Sequence, residues 1–146
     1  MALAAACSMP RYYLDTNICI YAWHRQHAAV LARMRAVDHT SMLIPALVAA
    51  ELASGAMRSA HAERNRALME EALSLFAIAP WGGDAIWHYG EQSARLRKAG
   101  TPIGAIDLMI GCQALADPEG VLVTHNVREF ERIEGLRIED WMEAAA

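Results

Sequence analysis

The chain has 146 residues, 55% of them hydrophobic and 21% charged, and 13 Lys and Arg set against 17 Asp and Glu give a net charge of -4. Such a length suits one domain with a single core, the composition excludes a disordered chain, and no apolar run approaches the roughly 18 residues of a membrane-spanning helix. The acidic balance also excludes a basic coat that holds nucleic acid by counterion release, so a nucleic-acid role has to come from a local site.

In chain order, Met1–Ser8 resembles a lipoprotein cleavage region without a basic start or a full apolar core. Residues 1–10 are therefore expected to be a flexible N-terminal extension, with Met9 as an alternative start. Residues 11–142 are expected to form one domain, with 143–146 as a tail. Arg11–Leu14 reads as a strand, and Asp15-Thr16-Asn17 offers caps for a helix over 18–23. A second helix is predicted over 27–37, a strand over 42–44, and a small apolar helix from Ala46 that stops near Gly55. An Arg-rich helix over 60–75 leads into a strand at 75–78. Trp81-Gly82-Gly83 breaks the chain before a helix from Asp84 to Lys98. Ile103–Ala116 is an apolar helix, 121–124 the clearest strand, 126–132 a short helix and 136–141 an edge strand. Strands alternating with helices predict a parallel sheet covered on both faces.

Three cysteines, Cys7, Cys19 and Cys112, form no disulfide framework or metal spacing and suit a reducing cytosol. Three acids stand in apolar company: Asp15 directly after a strand, Glu51 within Ala49–Ala53, and Asp107 within Ile103–Ile110. A buried carboxylate is costly unless paired or bound to a metal. In an open parallel sheet, ligands bind beyond the carboxyl ends of the strands, where Asp15 and the cluster Thr124-His125-Asn126 with Glu129 fall. Clustered carboxylates are the donor set of a hard cation such as Mg²⁺ or Mn²⁺. Such an ion activates water and offsets charge on a phosphodiester. Taken singly, Asp15 reads equally as a helix cap, Glu51 as a surface residue, Asp107 as an acid favoured by a helix start, and Asn126 with Glu129 as a cap and its partner.

Tyr13–Tyr21, Glu51-Leu52-Ala53-Ser54-Gly55, Gly100–Gly104 with Asp107–Gly111, and Val123–Phe130 with Glu139-Asp140-Trp141 resemble, in order and spacing, the four motifs of PIN-domain ribonucleases of the VapC toxin type. Within that family the similarity is to the enteric subgroup that cleaves initiator tRNA in the anticodon region. The resemblance implies a three-layer α/β/α PIN domain with a central, mostly parallel sheet. It implies a Mg²⁺-dependent (or Mn²⁺-dependent) endoribonuclease toxin, a VapB-type antitoxin that blocks it, a homodimer, a cytoplasmic location and contact with DNA only through the antitoxin. Asp15, Glu51 and Asp107 match the family's first three acids, with Asp15 and Asp107 expected to hold the metal most directly. The fourth acid's usual position is Asn126, so either Asn126 acts through its carbonyl oxygen or Glu129 supplies the charge from the next turn. Thr124 and Asn17 are expected to support the site. Gly111-Cys112-Gln113 departs from the family pattern and reads as packing.

Arg58, Arg64 and Arg66 are candidate RNA contacts, as are Arg95, Arg97 and Lys98. The alternative for them is a solvated helix face with pairs such as Arg66–Glu70. The rival to the enzyme reading is a catalytically silent PIN domain that acts as a protein-binding module. A haloacid-dehalogenase-like phosphatase lacks its second Asp, because that position is Asn17. A dinucleotide-binding module lacks its Gly-rich loop.

Overall fold

Five strands form one sheet in the order β3-β2-β1-β4-β5, and every neighbouring pair is parallel. The computed structural model describes residues 9–143. The leader-like segment and Cys7 lie outside the described residues, as does most of the C-terminal tail.

The strands are β1 (Arg11–Leu14), β2 (Met42–Pro45), β3 (Ala77–Ala79), β4 (Gly120–Val123) and β5 (Ile138–Glu139). The helices are α1 (Thr16–Trp23), α2 (Ala28–Ala36), α3 (Ala46–Met57), α4 (Ala62–Leu73), α5 (Ala85–Ala99), α6 (Ala105–Ala116) and α7 (Val127–Phe130). Parallel strands buried on both faces read as continuous apolar runs, as β4 does with all four residues buried. Alternation along β1 sends Tyr12 and Tyr13 to opposite faces. Tyr12 packs edge-on to Trp141 at 5.1 Å, and Arg33 of α2 covers that indole at 5.5 Å. Tyr13 faces α6 and donates its hydroxyl to Asp117 at 2.7 Å. These are the outer layers of an α/β/α sandwich.

β1 is central, with β2 and β3 to one side and β4 and β5 to the other. Strand order therefore reverses between β1 and β4. The carboxyl ends there, Leu14 and Val123, are in register and lead into Asp15 and Thr124. A crevice at such a switch point is where open parallel sheets bind ligands.

Several boundaries differ from the sequence reading. α3 does not stop at Gly55 but runs on to Met57. Its buried stripe continues through Val48, Leu52 and Ala56, and that packing outweighs the roughly 1 kcal/mol helix penalty of glycine. β3 starts at Ala77 rather than Leu75, because the Leu75 and Phe76 N–H groups still bond back to Ala72 and Leu73. α7 ends at Phe130, since Arg132 and Ile133 wind down through i−3 bonds. The edge strand shrinks to two residues.

Gly111-Cys112-Gln113 is packing, as expected. Cys112 is fully buried. A β-carbon at Gly111 would meet the Ile133 side chain at 2.3 Å. The Gln113 amide donates to the carbonyls of Ala79 and Pro80 at 2.9 and 3.0 Å. Trp141, Phe130 and Ile133 are core side chains, whereas Trp87 is 75% exposed.

Candidate active site

Asp15 ends β1 and precedes α1, so backbone geometry alone puts its carboxylate at the sheet's carboxyl edge. It is buried, and both oxygens are committed. Oδ1 accepts from the Thr16 N–H at 2.8 Å, and Oδ2 accepts from the Thr124 hydroxyl at 2.8 Å. Thr124 is fully buried after β4 and accepts in turn from the Asn126 N–H at 3.0 Å. One hydroxyl therefore ties together the two strand ends on either side of the switch point. Burial pushes the Asp15 carboxyl above its ordinary value. The bonds from Thr124 and Thr16 oppose that rise, and the charge of Glu129 adds to it.

Glu51 arrives from the second turn of α3. Burial, then repulsion from Asp15, raises its carboxyl. Its Oε1 is buried without a hydrogen-bond partner, and so is the Thr16 hydroxyl. The hydroxyl lies near enough to moderate the Glu51 charge without closing a bond to it. Thr16 is the neighbour that the sequence reading missed, and its signal was adjacency to Asp15 in the first motif.

Asp107 sits in the first turn of α6, where a helix favours negative charge. Its carboxyl is nevertheless raised to about 6, first by burial and then by repulsion from Glu129, Asp15 and Glu51. Asn126 does not cap α7 with its side chain; it donates from Nδ2 to Glu129 Oε2 at 2.7 Å. The Asn126 amide thus holds the Glu129 carboxylate of the following turn. Asn17 is exposed on the first turn of α1 and forms no hydrogen bond to these acids among the described residues.

The structure therefore brings Asp15, Glu51, Asp107 and Glu129 into mutual electrostatic contact. Among the described residues none of them forms an ion pair with a Lys, Arg or His. A buried Asp15 with three half-buried carboxylates beside it and no counter-charge calls for a cation. The donors are all oxygen, the preference of hard divalent ions, and the orphaned Glu51 Oε1 supplies a free ligand atom. No trio of such side chains among the described residues is drawn closely enough to enclose an ion. A cavity of about 350 Å³ lies elsewhere, beside Arg11, Tyr13 and Asp117. There the Arg11–Asp117 ion pair, at 2.6 Å, already balances its charges.

The arginines proposed from sequence behave differently from one another. Arg66 pairs with Glu70 at 2.9 Å as a helix-face pair, and Arg58 donates to Ser54 O of its own helix. Arg64 is exposed on α4 with no ion pair among the described residues.

A model of the PIN-domain family matches residues 12–136. The tRNA(fMet)-specific endonuclease VapC of Shigella flexneri is 38% identical over 133 residues, covering 91% of this chain and 99% of that protein. Ribonuclease VapC2 of Haemophilus influenzae is 38% identical over 135 residues, covering 92% and 100%. A chain in the crystal structure of DNA-bound VapBC from Salmonella typhimurium superposes with a TM-score of 0.82 at 39% identity, covering 91% of this chain and 99% of that one. PIN-domain nucleases use a divalent metal, in keeping with the acidic site. On the agreement of fold, site and sequence, the chain belongs to the PIN-domain family and, within it, to the VapC ribonucleases.

Proposed function

We propose that this ribonuclease is the toxin of a toxin–antitoxin pair and cuts tRNA, with initiator tRNA as its target, using Mg²⁺ held by Asp15 and Asp107. The observation that carries the reading is the meeting of four acids at the switch point with no cationic side chain among them. A bound divalent ion supplies an acidified water and offsets the phosphate charge. Thr124 fixes the orientation of the Asp15 carboxylate through its hydroxyl. Asn126 holds Glu129 against Asp107. Glu51, its carboxyl raised by burial and by Asp15, completes the acidic pocket together with Glu129. Mn²⁺ satisfies the same oxygen donors.

The relatives' names support the substrate and the partner: a tRNA(fMet)-specific endonuclease and VapBC complexes. A VapB-type antitoxin covering the crevice, a homodimer, a cytoplasmic location and contact with DNA only through the antitoxin complete the proposal. No described helix is long and apolar enough to cross a membrane.

Mapping the new RNA ends after treating total cellular RNA with the purified chain and Mg²⁺ tests the assignment. Ends confined to the anticodon region of initiator tRNA support it. Ends spread over messenger or ribosomal RNA, with initiator tRNA intact, contradict it.

A further inference from the structure

An acidic pocket repels the polyanion it is meant to cut, and at a net charge of -4 the attraction has to be local. The cations of the molecule are not equally free to provide it. On the α3–α4 side, Arg66 is neutralised by Glu70, Arg58 leans on its own helix, and Arg64 stands as a single exposed cation without an ion pair among the described residues. On the other side of the crevice, the end of α5 and the exit of α7 are fastened together. Gln92 exchanges two hydrogen bonds with the Glu134 backbone, both at 3.2 Å. Arg95 donates to the Arg132 carbonyl. Arg132 in turn donates to the Pro102 carbonyl at 3.2 Å, and Arg97 shares a shallow cavity with Pro102, Ile103 and Leu108. This seam leads straight into the first turn of α6 and Asp107.

Arg97, Lys98, Arg128 and Arg132 are all exposed along it, and none has an ion-pair partner among the described residues. Arg128 immediately precedes Glu129. Three exposed acids share the sector, Glu91, Glu131 and Glu134, the last already 3.5 Å from Arg95, against Arg95, Arg97, Lys98, Arg128 and Arg132. The surplus is cationic. Resting on the ribonuclease reading above, we propose that the α5–α7 seam, through Arg97, Lys98, Arg128 and Arg132, holds the RNA backbone as it enters the acidic pocket, and that the α4 arginines do not.

The test is binding of a short single-stranded RNA and of bulk tRNA, followed by anisotropy over a salt series in the Asp15→Asn background with Mg²⁺ present. Each phosphate contact contributes roughly 0.7–1 to the log–log salt slope. Arg128→Gln with Arg132→Gln is expected to lower that slope by about 1.5–2 and to weaken binding about tenfold or more. Lys at both positions restores the slope, which a purely structural role of the guanidinium groups would not allow. Arg64→Gln leaves the slope unmoved. An unchanged slope in the double Gln variant, or a fall with Arg64→Gln instead, overturns the proposal. Cleavage by the unsubstituted chain is measured alongside. Cleavage with an unmoved slope overturns the seam alone, whereas no cleavage together with salt-independent binding overturns the ribonuclease reading as well.

Discussion

Thr124 shows how much one hydroxyl decides. It donates to Asp15 and accepts from the Asn126 N–H, and it has no contact with solvent. Thr124→Val keeps the shape and removes both bonds. Residues that orient metal ligands are worth about 10–100-fold, so cleavage is expected to fall by that factor and to need more Mg²⁺ for half-maximal rate. A titration of rate against Mg²⁺ checks it. Asp107 offers a pH test. Its folded value of about 6 lies above the ordinary 3.8, so its contribution to stability is complete below 3.8 and is lost as pH rises through about 6. In EDTA the melting temperature is therefore expected to fall between about pH 5 and pH 7.5. Asp107→Asn should flatten that fall. Saturating Mg²⁺ should offset it, since a ligand at about a hundred times its dissociation constant stabilises by about 2.7 kcal/mol. Melting curves at both pH values, with and without Mg²⁺, decide the matter.

At the scale of elements, the switch point depends on how closely α6 returns to β4. The turn between them closes with the Gly120 N–H on Asp117 O at 2.8 Å. A β-carbon at Gly120 would lie 2.2 Å from the Ala114 carbonyl oxygen. That atom is backbone and cannot swing aside, so Gly120→Ala is expected to destabilise by about 1–3 kcal/mol, read from the denaturant midpoint. The acid positions were legible in the sequence because a strand end and a helix start fix where a side chain sits. Asp15, Glu51, Asp107 and Glu129 all arrive together for that reason. Asn17 shows the limit: it belongs to the first motif, yet helical rotation turns it out to solvent. The hydrogen bond between Asn126 and Glu129 was not legible, because side-chain conformation rather than chain position sets it. The ends of α3 and α4 were misjudged where tertiary burial, or helix-exit bonds, outweighed local glycine and apolar signals.

At the scale of the whole molecule, five parallel strands place Asp15 and Thr124 at the carboxyl edge of the sheet and the Arg11–Asp117 pair at the opposite edge. There, hydrogen bonds from Arg11, Tyr13 and the Glu119 N–H overcome the effect of burial and hold Asp117 down to about 2. The acidity of the chain is thus unevenly placed: Asp117 is paired within the fold, whereas four acids meet at the switch point with no cationic side chain paired to them among the described residues. The measurement that bears most directly on this division is cleavage of a tRNA pool by the purified chain with Mg²⁺, with EDTA, and with Asp15→Asn. Discrete fragments in Mg²⁺, none in EDTA, and a loss of at least about a hundredfold for Asp15→Asn are the predicted result, because the substitution removes a ligand itself rather than a partner that only orients one. Equal fragments in EDTA, or from Asp15→Asn, would contradict the account.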